Sequence, residues 1–263
     1  MRADKERQNH GSDLAYEGGN LRLFVPDHLR SAAKIIPNEG QAHYLLHVMR
    51  ARAGKRVLLF NGNDGEWRAE VTDVTRRSCT LLCEQQTRAL GAVPDLWLAF
   101  APIKKTPADY VAQKAAELGV SVLQPVITHR TIARRVNLER LRANAVEAAE
   151  QSERLSVPEI REPLSLNQLL QSWPGGRQML FCDEGGDAAP VLQALNGRGR
   201  GPWGILTGPE GGFDPTERAL IRSQPYVVPV TLGPRIMRAD TAALAALAVW
   251  QAVLGDWGHT PGL

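Results

Sequence analysis

Two rhythms divide the chain. From residue 95 onward, short apolar runs without polar alternation take turns with amphipathic stretches, as when buried parallel strands alternate with helices. Leu96-Trp97-Leu98-Ala99-Phe100-Ala101 is the first such strand; residues 107–118 then predict a helix, with Gly119 as its stop. Further strands are predicted at 122–127, at 178–182, in the run ending at Leu206 and around Val227. Helices are predicted near 138–153, from Pro215, and over 239–254. The alternation predicts an α/β domain on a parallel sheet, spanning 91–263. Before residue 91 the pattern is different. Residues 55–60 and 66–71 flank Asn61-Gly62-Asn63-Asp64-Gly65, which reads as a hairpin, and 79–83 adds another strand. Residues 39–49 read as a short helix between the first strand, 22–25, and the hairpin. A small barrel of mostly antiparallel strands over 19–90 is the natural closure, with Gly91-Ala92-Val93-Pro94 as the hinge.

Residues 1–18 are polar and charged, with no apolar core. They predict a disordered extension rather than a secretory signal. The 263 residues are 43% hydrophobic and 22% charged, an ordinary balance for a globular protein, and no segment approaches a membrane span. Three cysteines without metal-ligand spacing argue against a disulfide scaffold, so a reduced, cytoplasmic protein is expected. The net charge of +3 gains meaning when divided. Residues 19–90 hold 11 Lys/Arg against 7 Asp/Glu, an excess of four, whereas 91–263 hold 17 of each. A modest basic excess confined to the predicted barrel is a weak pointer to nucleic acid.

Candidate chemistry lies in two glycine turns, each between a strand and a helix. The first is Leu206-Thr207-Gly208-Pro209-Glu210-Gly211-Gly212-Phe213, followed by Asp214-Pro215-Thr216-Glu217, which reads as a capped helix start. The second is Leu232-Gly233-Pro234-Arg235-Ile236-Met237-Arg238-Ala239-Asp240-Thr241-Ala242, with Asp240 or Thr241 available as a cap. At neighbouring strand ends, two such loops could offer backbone donors and acceptors to one small ligand. Gly199-Arg200-Gly201-Pro202-Trp203-Gly204 matches a dinucleotide fingerprint in letters only, because it precedes a strand and contains proline. His43 and His47 stand four apart with no evident third ligand, so no metal site is expected.

The pair of turns resembles the signature of RsmE, the uridine-N3 methyltransferases of small-subunit rRNA in the SPOUT (trefoil-knot) class. Further matches are Gln113-Lys114-Ala115-Ala116-Glu117-Leu118-Gly119-Val120, Glu147-Ala148-Ala149-Glu150-Gln151-Ser152, Val157-Pro158, Arg22-Leu23-Phe24-Val25 and His43-Tyr44-Leu45-Leu46-His47-Val48-Met49-Arg50. The likeness runs from about Leu21 to the end. It departs where that family often has Glu for Asp240, usually Gly for Glu153, and a Gly-Asp/Glu-Lys-Met run for Thr106-Pro107-Ala108-Asp109.

The resemblance implies a PUA-like RNA-binding barrel ahead of a knotted SPOUT domain, a homodimer with its site near the interface, and 16S rRNA or the small subunit as substrate. S-adenosylmethionine is the implied cofactor. Leu206, Thr207, Gly208, Pro209, Glu210 and Gly211 would form one wall of its site; Leu232, Gly233, Ile236, Met237 and Arg238 would form the other. Methylation at uracil N3 requires the ring N–H to lose its proton as the nitrogen attacks. Arg235 and Arg238 are candidates to stabilise the developing anion, and Glu210 or Asp240 could accept the proton. Against this, Asp240 could simply cap the last helix and Glu210 could simply fix its own loop. Arg22, Arg50 and Arg52 from the barrel, with Lys104, Lys105 and Lys114 beside the catalytic domain, are the candidate RNA contacts. Two rivals stand: the same fold acting on another rRNA or tRNA nucleotide, and a non-catalytic RNA-binding assembly factor.

Overall fold

The computed structural model of the protein describes residues 21–103, 108–133, 135–185 and 187–258. The expected extension over 1–18 lies outside them, as do Lys104 and Lys105. The first sheet is curled and contains β1 (Arg22–Phe24), β2 (Lys34–Ile35), β3 (Arg56–Phe60), β4 (Glu66–Thr72) and β5 (Thr80–Arg88), in the order β1-β3-β4-β5-β2. The β3–β4 hairpin forms as its turn residues predict. Asn61 Oδ1 accepts from the amides of Asn63 and Asp64 at 2.9 and 2.8 Å, folding the chain back. β1 runs parallel to β3, and the other pairings are antiparallel.

Between β2 and β3 the expected single helix is split. α1 (Glu39–His43) starts in a reciprocal cap between Asn38 and Gln41, then Tyr44–Val48 widens into a π-helical turn. The Met49 amide bonds the Tyr44 carbonyl at 2.9 Å, five residues back. This widening brings two successive leucines, Leu45 and Leu46, into the core at once. They pack with Leu23, Val57, Leu59, Leu81, Cys79 and Cys83. Burial pushes both thiols up, Cys83 to about 11, so they are packing residues rather than reactive groups.

The second sheet is parallel throughout. Its strands are β6 (Leu96–Phe100), β7 (Val122–Ile127), β8 (Glu159–Ile160), β9 (Leu164–Ser165), β10 (Gln178–Cys182), β11 (Ala189–Pro190), β12 (Trp203–Thr207) and β13 (Val227–Thr231). The order is β11-β13-β10-β12-β6-β7-β8, and β9 pairs with β7. Helices α2 (Ala108–Glu117), α3 (Leu138–Gln151), α5 (Val191–Leu195) and α7 (Ala239–Val253) cover one face. Helices α4 (Leu166–Gln171) and α6 (Pro215–Arg222) cover the other. Leu96, Leu98 and Phe100 enter the first layer, Trp97 and Ala99 the second, which explains why β6 has no polar alternation. Gly119 ends α2 at φ +81, with Gln251 held against it by a 2.7 Å bond to the Leu118 carbonyl.

One connection is unusual. Cys182 of β10 and Ala189 of β11 both stand beside Val230 of β13, so the chain between them must cross β13. Ion pairs tie that crossing to α6: Arg218 Nε lies 2.7 Å from buried Asp183, and Arg222 Nη1 lies 2.8 Å from Asp187.

The two sheets are joined through Arg22, which is 5% exposed. Its Nε donates to Glu66 at 2.8 Å, and its remaining nitrogens donate to the carbonyls of Ala149, Glu150 and Arg154 at 3.0 Å. Those carbonyls lie at and just beyond the C-terminus of α3, where helices leave acceptors without partners. Glu153 follows at φ +58, a left-handed residue at the position where the resemblance leads one to expect glycine. Beside this joint, a cleft of about 900 Å³ lies between the first sheet and α3, lined by Phe24, Tyr44, Met49, Arg142, Val146 and Glu147.

Candidate active site

β12 delivers buried Leu206 and Thr207 to the C-terminal edge of the parallel sheet, where the chain enters its first glycine turn. The Gly212 amide closes that turn on the Pro209 carbonyl at 2.9 Å. Gly212 lies at φ +65, and an added Cβ would meet a Glu184 carboxylate oxygen. Gly208 lies under the ring of Phe213, which packs edge-on to Phe181 at 5.2 Å. Pro209 is buried, while Glu210 and Gly211 are exposed at the tip. Asp214 then caps α6 in a reciprocal bond with Glu217. The Glu217 amide, then a second backbone amide and the nearby His129 and Arg130, hold the Asp214 carboxyl below the usual carboxylate range.

β13 leads into the second turn. Leu232 is half-buried against the core, and the Gly233 amide lies 3.3 Å from Thr231 Oγ1. Gly233 stands at φ +120, and an added Cβ there would meet no protein atom within 4 Å. Arg235, Ile236 and Arg238 are exposed, Ile236 at 93%, and Met237 is half-buried. Arg238, rather than Asp240 or Thr241, occupies the N-cap position of α7. Asp240 stands in the first turn, its Oδ1 accepting from the Thr241 amide at 2.8 Å. Its carboxylate therefore faces the positive end of the helix without being its N-cap.

The two turns do not stand at neighbouring strand ends. β10 runs between β12 and β13, so the turns face each other across its end, about 10 Å apart by the usual strand spacing. Between them the chain leaves β10 through Asp183 and Glu184, which the sequence alone did not single out. Asp183 is 3% exposed, accepting from Arg218 and from the Gly185 amide. Its place directly after a buried strand was the available signal. A second missed element is the turn Thr128-His129-Arg130-Thr131 after β7. Thr131 Oγ1 accepts from the Thr128 amide at 2.9 Å, and Arg130 Nη1 donates to the Gly211 carbonyl at 2.7 Å.

The candidate RNA contacts separate. Arg50 and Arg52 are exposed on the first sheet's side, close to exposed Tyr44, Val48 and Met49. Lys114 lies on α2, paired with Glu117. Arg22 is corrected: it is 5% exposed, with four of its five N–H donors taken by three carbonyls and a carboxylate, so it is not presented to a phosphate. The His43 and His47 rings lie 5.0 Å apart, tilted by 38°, and among the described residues no group of three or more His, Cys, Asp or Glu could hold a metal.

Comparison with known proteins fits this geometry. Residues 92–251 match the RNA methyltransferase domain family, and residues 36–82 match the RNA methyltransferase PUA domain. Fold and sequence thus define an RNA methyltransferase, with a PUA domain ahead of its parallel-sheet methyltransferase domain. The ribosomal RNA small subunit methyltransferase E of Rickettsia conorii is 31% identical over 229 residues, covering 86% of this chain and 93% of that protein. The enzyme of that name from Synechocystis is 32% identical over 257 residues, covering 95% and 82%. A crystal structure of the Neisseria gonorrhoeae ribosomal RNA small subunit methyltransferase E bound to S-adenosyl methionine aligns at TM-score 0.82 and 27% identity, covering 90% and 99%. The chain belongs to the ribosomal RNA small subunit methyltransferase E family.

Proposed function

We propose that the protein transfers a methyl group from S-adenosylmethionine to N3 of one uridine in 16S rRNA, in the cytoplasm and as a homodimer. The observation that carries the site assignment is the placement of both glycine turns at the C-terminal edge of the parallel sheet, on either side of β10. There Gly233 turns an unobstructed face outward, opposite a loop that presents Gly208 to Gly211. The residues fit the cofactor: Leu232 and Met237 give apolar surface, and Gly208 and Gly233 let backbone amides approach a ligand edge. S-adenosylmethionine, when bound, supplies an electrophilic methyl group.

The chain's own residues then have three tasks. Arg235 and Arg238, both exposed beside the second turn, stabilise negative charge on the uracil carbonyl oxygens as N3 loses its proton. Glu210, at the tip of the first turn, is the proposed proton acceptor. Arg50, Arg52 and Lys114 anchor phosphates, leaving residues 19–90 to hold RNA and 91–263 to perform the chemistry. The dimer reading is supported by Ile236, 93% exposed beside the site, and by the half-buried Ala242 and Leu244 along α7. Leu247 and Trp250 of the same helix belong to the core.

The deciding experiment supplies labelled S-adenosylmethionine and small subunits lacking the modification, then digests the RNA for mass spectrometry. The expected product is 3-methyluridine at a single position. Another methylated nucleoside would move the target, and no product on subunits or naked RNA would overturn the assignment. Replacing Arg50 and Arg52 together with alanine is expected to flatten the salt dependence of RNA binding, lowering the log–log slope by about 1.4. Cofactor affinity is expected to stay unchanged in that variant, which calorimetry with S-adenosylhomocysteine checks.

A further inference from the structure

The turn after β7 is built more firmly than a connection requires. Thr128 and Thr131 are both buried, at 6% and 7% exposure. They close the turn three times over. The Thr131 amide bonds the Thr128 carbonyl at 3.1 Å, the Thr128 amide bonds Thr131 Oγ1 at 2.9 Å, and the two hydroxyls meet at 2.9 Å. A turn fixed in this way holds its two central residues in place.

Both central residues reach the strand–helix connection that follows β12. Arg130 Nη1 donates to the Gly211 carbonyl at 2.7 Å, and its aliphatic stem runs 3.5 Å from where a Gly211 Cβ would stand. His129 donates its amide to Glu217 Oε1 at 2.8 Å and places Nδ1 3.1 Å from Asp214 Oδ2. Glu217 and Asp214 are the reciprocal cap of α6, so the turn grips both the glycine tip and the helix start that frames it.

We propose that Arg130 is a positioning residue, which holds the Gly211 carbonyl and thereby sets the conformation of residues 207–213 for the cofactor. This inference rests on the reading of those residues as a wall of the cofactor site. Glycine-rich tips have many conformations of similar energy, and a ligand that needs one of them binds more weakly by the fraction of time it is absent. A guanidinium fixed on a rigid turn selects one by a charge-assisted bond to the Gly211 carbonyl. Arg130 touches no reacting atom in this scheme and acts through Gly211.

The test is calorimetric binding of S-adenosylhomocysteine to the full chain and its Arg130→Ala and Arg130→Lys variants. Binding of small-subunit RNA and amide hydrogen exchange over 207–213 are measured in parallel. Arg130→Ala is expected to bind S-adenosylhomocysteine about five- to tenfold more weakly, in line with the loss of one exposed charge-assisted bond. Arg130→Lys, which keeps a single cationic donor, is expected to recover part of that loss. RNA affinity should change less than twofold, and the 207–213 amides should exchange faster in the alanine variant. Unchanged cofactor affinity with weakened RNA binding would overturn the proposal and make Arg130 a phosphate contact. If the unaltered chain itself fails to bind S-adenosylhomocysteine, the reading of the cofactor wall fails first.

Discussion

Gly233→Val is expected to abolish cofactor binding, raising the Kd for S-adenosylhomocysteine by about a hundredfold or more while the chain stays folded. Two independent effects add. The position holds φ at +120, where a branched side chain is strained by on the order of 1–3 kcal/mol. The added carbons also enter space that no protein atom within 4 Å of the Cβ position contests, which is the space assigned to the ligand. Tenfold in affinity corresponds to about 1.4 kcal/mol, so strain in the bound loop and steric exclusion together exceed two decades. Gly208→Val would be a poorer probe, because its Cβ would stand 2.8 Å from the Phe213 ring and damage packing as well. Calorimetry and a thermal melt on the same preparation decide the matter. Near-normal affinity in folded Gly233→Val would place the cofactor elsewhere.

The second large effect is on stability. Arg22→Ala is expected to destabilise the fold by about 3–5 kcal/mol, the usual result of removing one member of a buried ion pair. At this chain length the melting temperature should fall by on the order of 10 °C. The substitution removes the 2.8 Å bond to Glu66, three bonds to the carbonyls around the end of α3, and a cation that stands 4.6 Å over the Phe60 ring. Burial works to raise the Glu66 carboxyl, yet bonds from Arg88 and Thr87 and the charges of Arg88 and Arg22 outweigh it and hold it below its ordinary value. A carboxyl depressed by folding contributes stability that is present above the usual carboxylate range and is lost as pH falls through its folded value. Urea unfolding of wild type and variant at neutral and acidic pH measures both effects. The gap between them should narrow in acid, where Glu66 takes up a proton. An Arg22→Ala protein as stable as wild type but defective in RNA binding would restore the phosphate role rejected above.

What the sequence made legible was whatever period and turn chemistry dictate. β10 was expected at 178–182 and is found there, because an apolar run between a glycine pair and an Asp-Glu-Gly stop has few other readings. The α6 start was legible in Asp214, Pro215 and Glu217. Elements of two or six residues were not, since Lys34–Ile35, Ala189–Pro190 and α4 are too short to show a period, although the Ser165–Gln168 cap marked α4. The π-helical turn at Tyr44–Val48 was hidden because consecutive leucines fit a helix or a strand equally well. Arg22 looked like a surface cation because charge is read from the sequence and burial is not. The two glycine turns were found, but their spacing was misjudged: strand order is a tertiary fact, and β10 between them could not be inferred from their separation along the chain.

The crossing of β13 by the chain between β10 and β11 bears on how the molecule comes apart. Asp183 and Asp187, at the two ends of the crossing, are tied to Arg218 and Arg222 of α6, and β13 passes beneath with α7 still to follow. The turns of α7 can unwind in place, but the chain that carries them cannot leave while the bridge over β13 stays shut. For the end of the chain to withdraw, the bridge above it must first open, and the bulk of α7 must then be drawn through the gap. This obstacle lies on the path and adds little to the depth of the native well. It slows escape far more than it shifts the balance between folded and unfolded forms. Residues 232–238, the proposed second wall of the cofactor site, hang on the strand beneath that bridge, so the durability of that wall is a matter of rate.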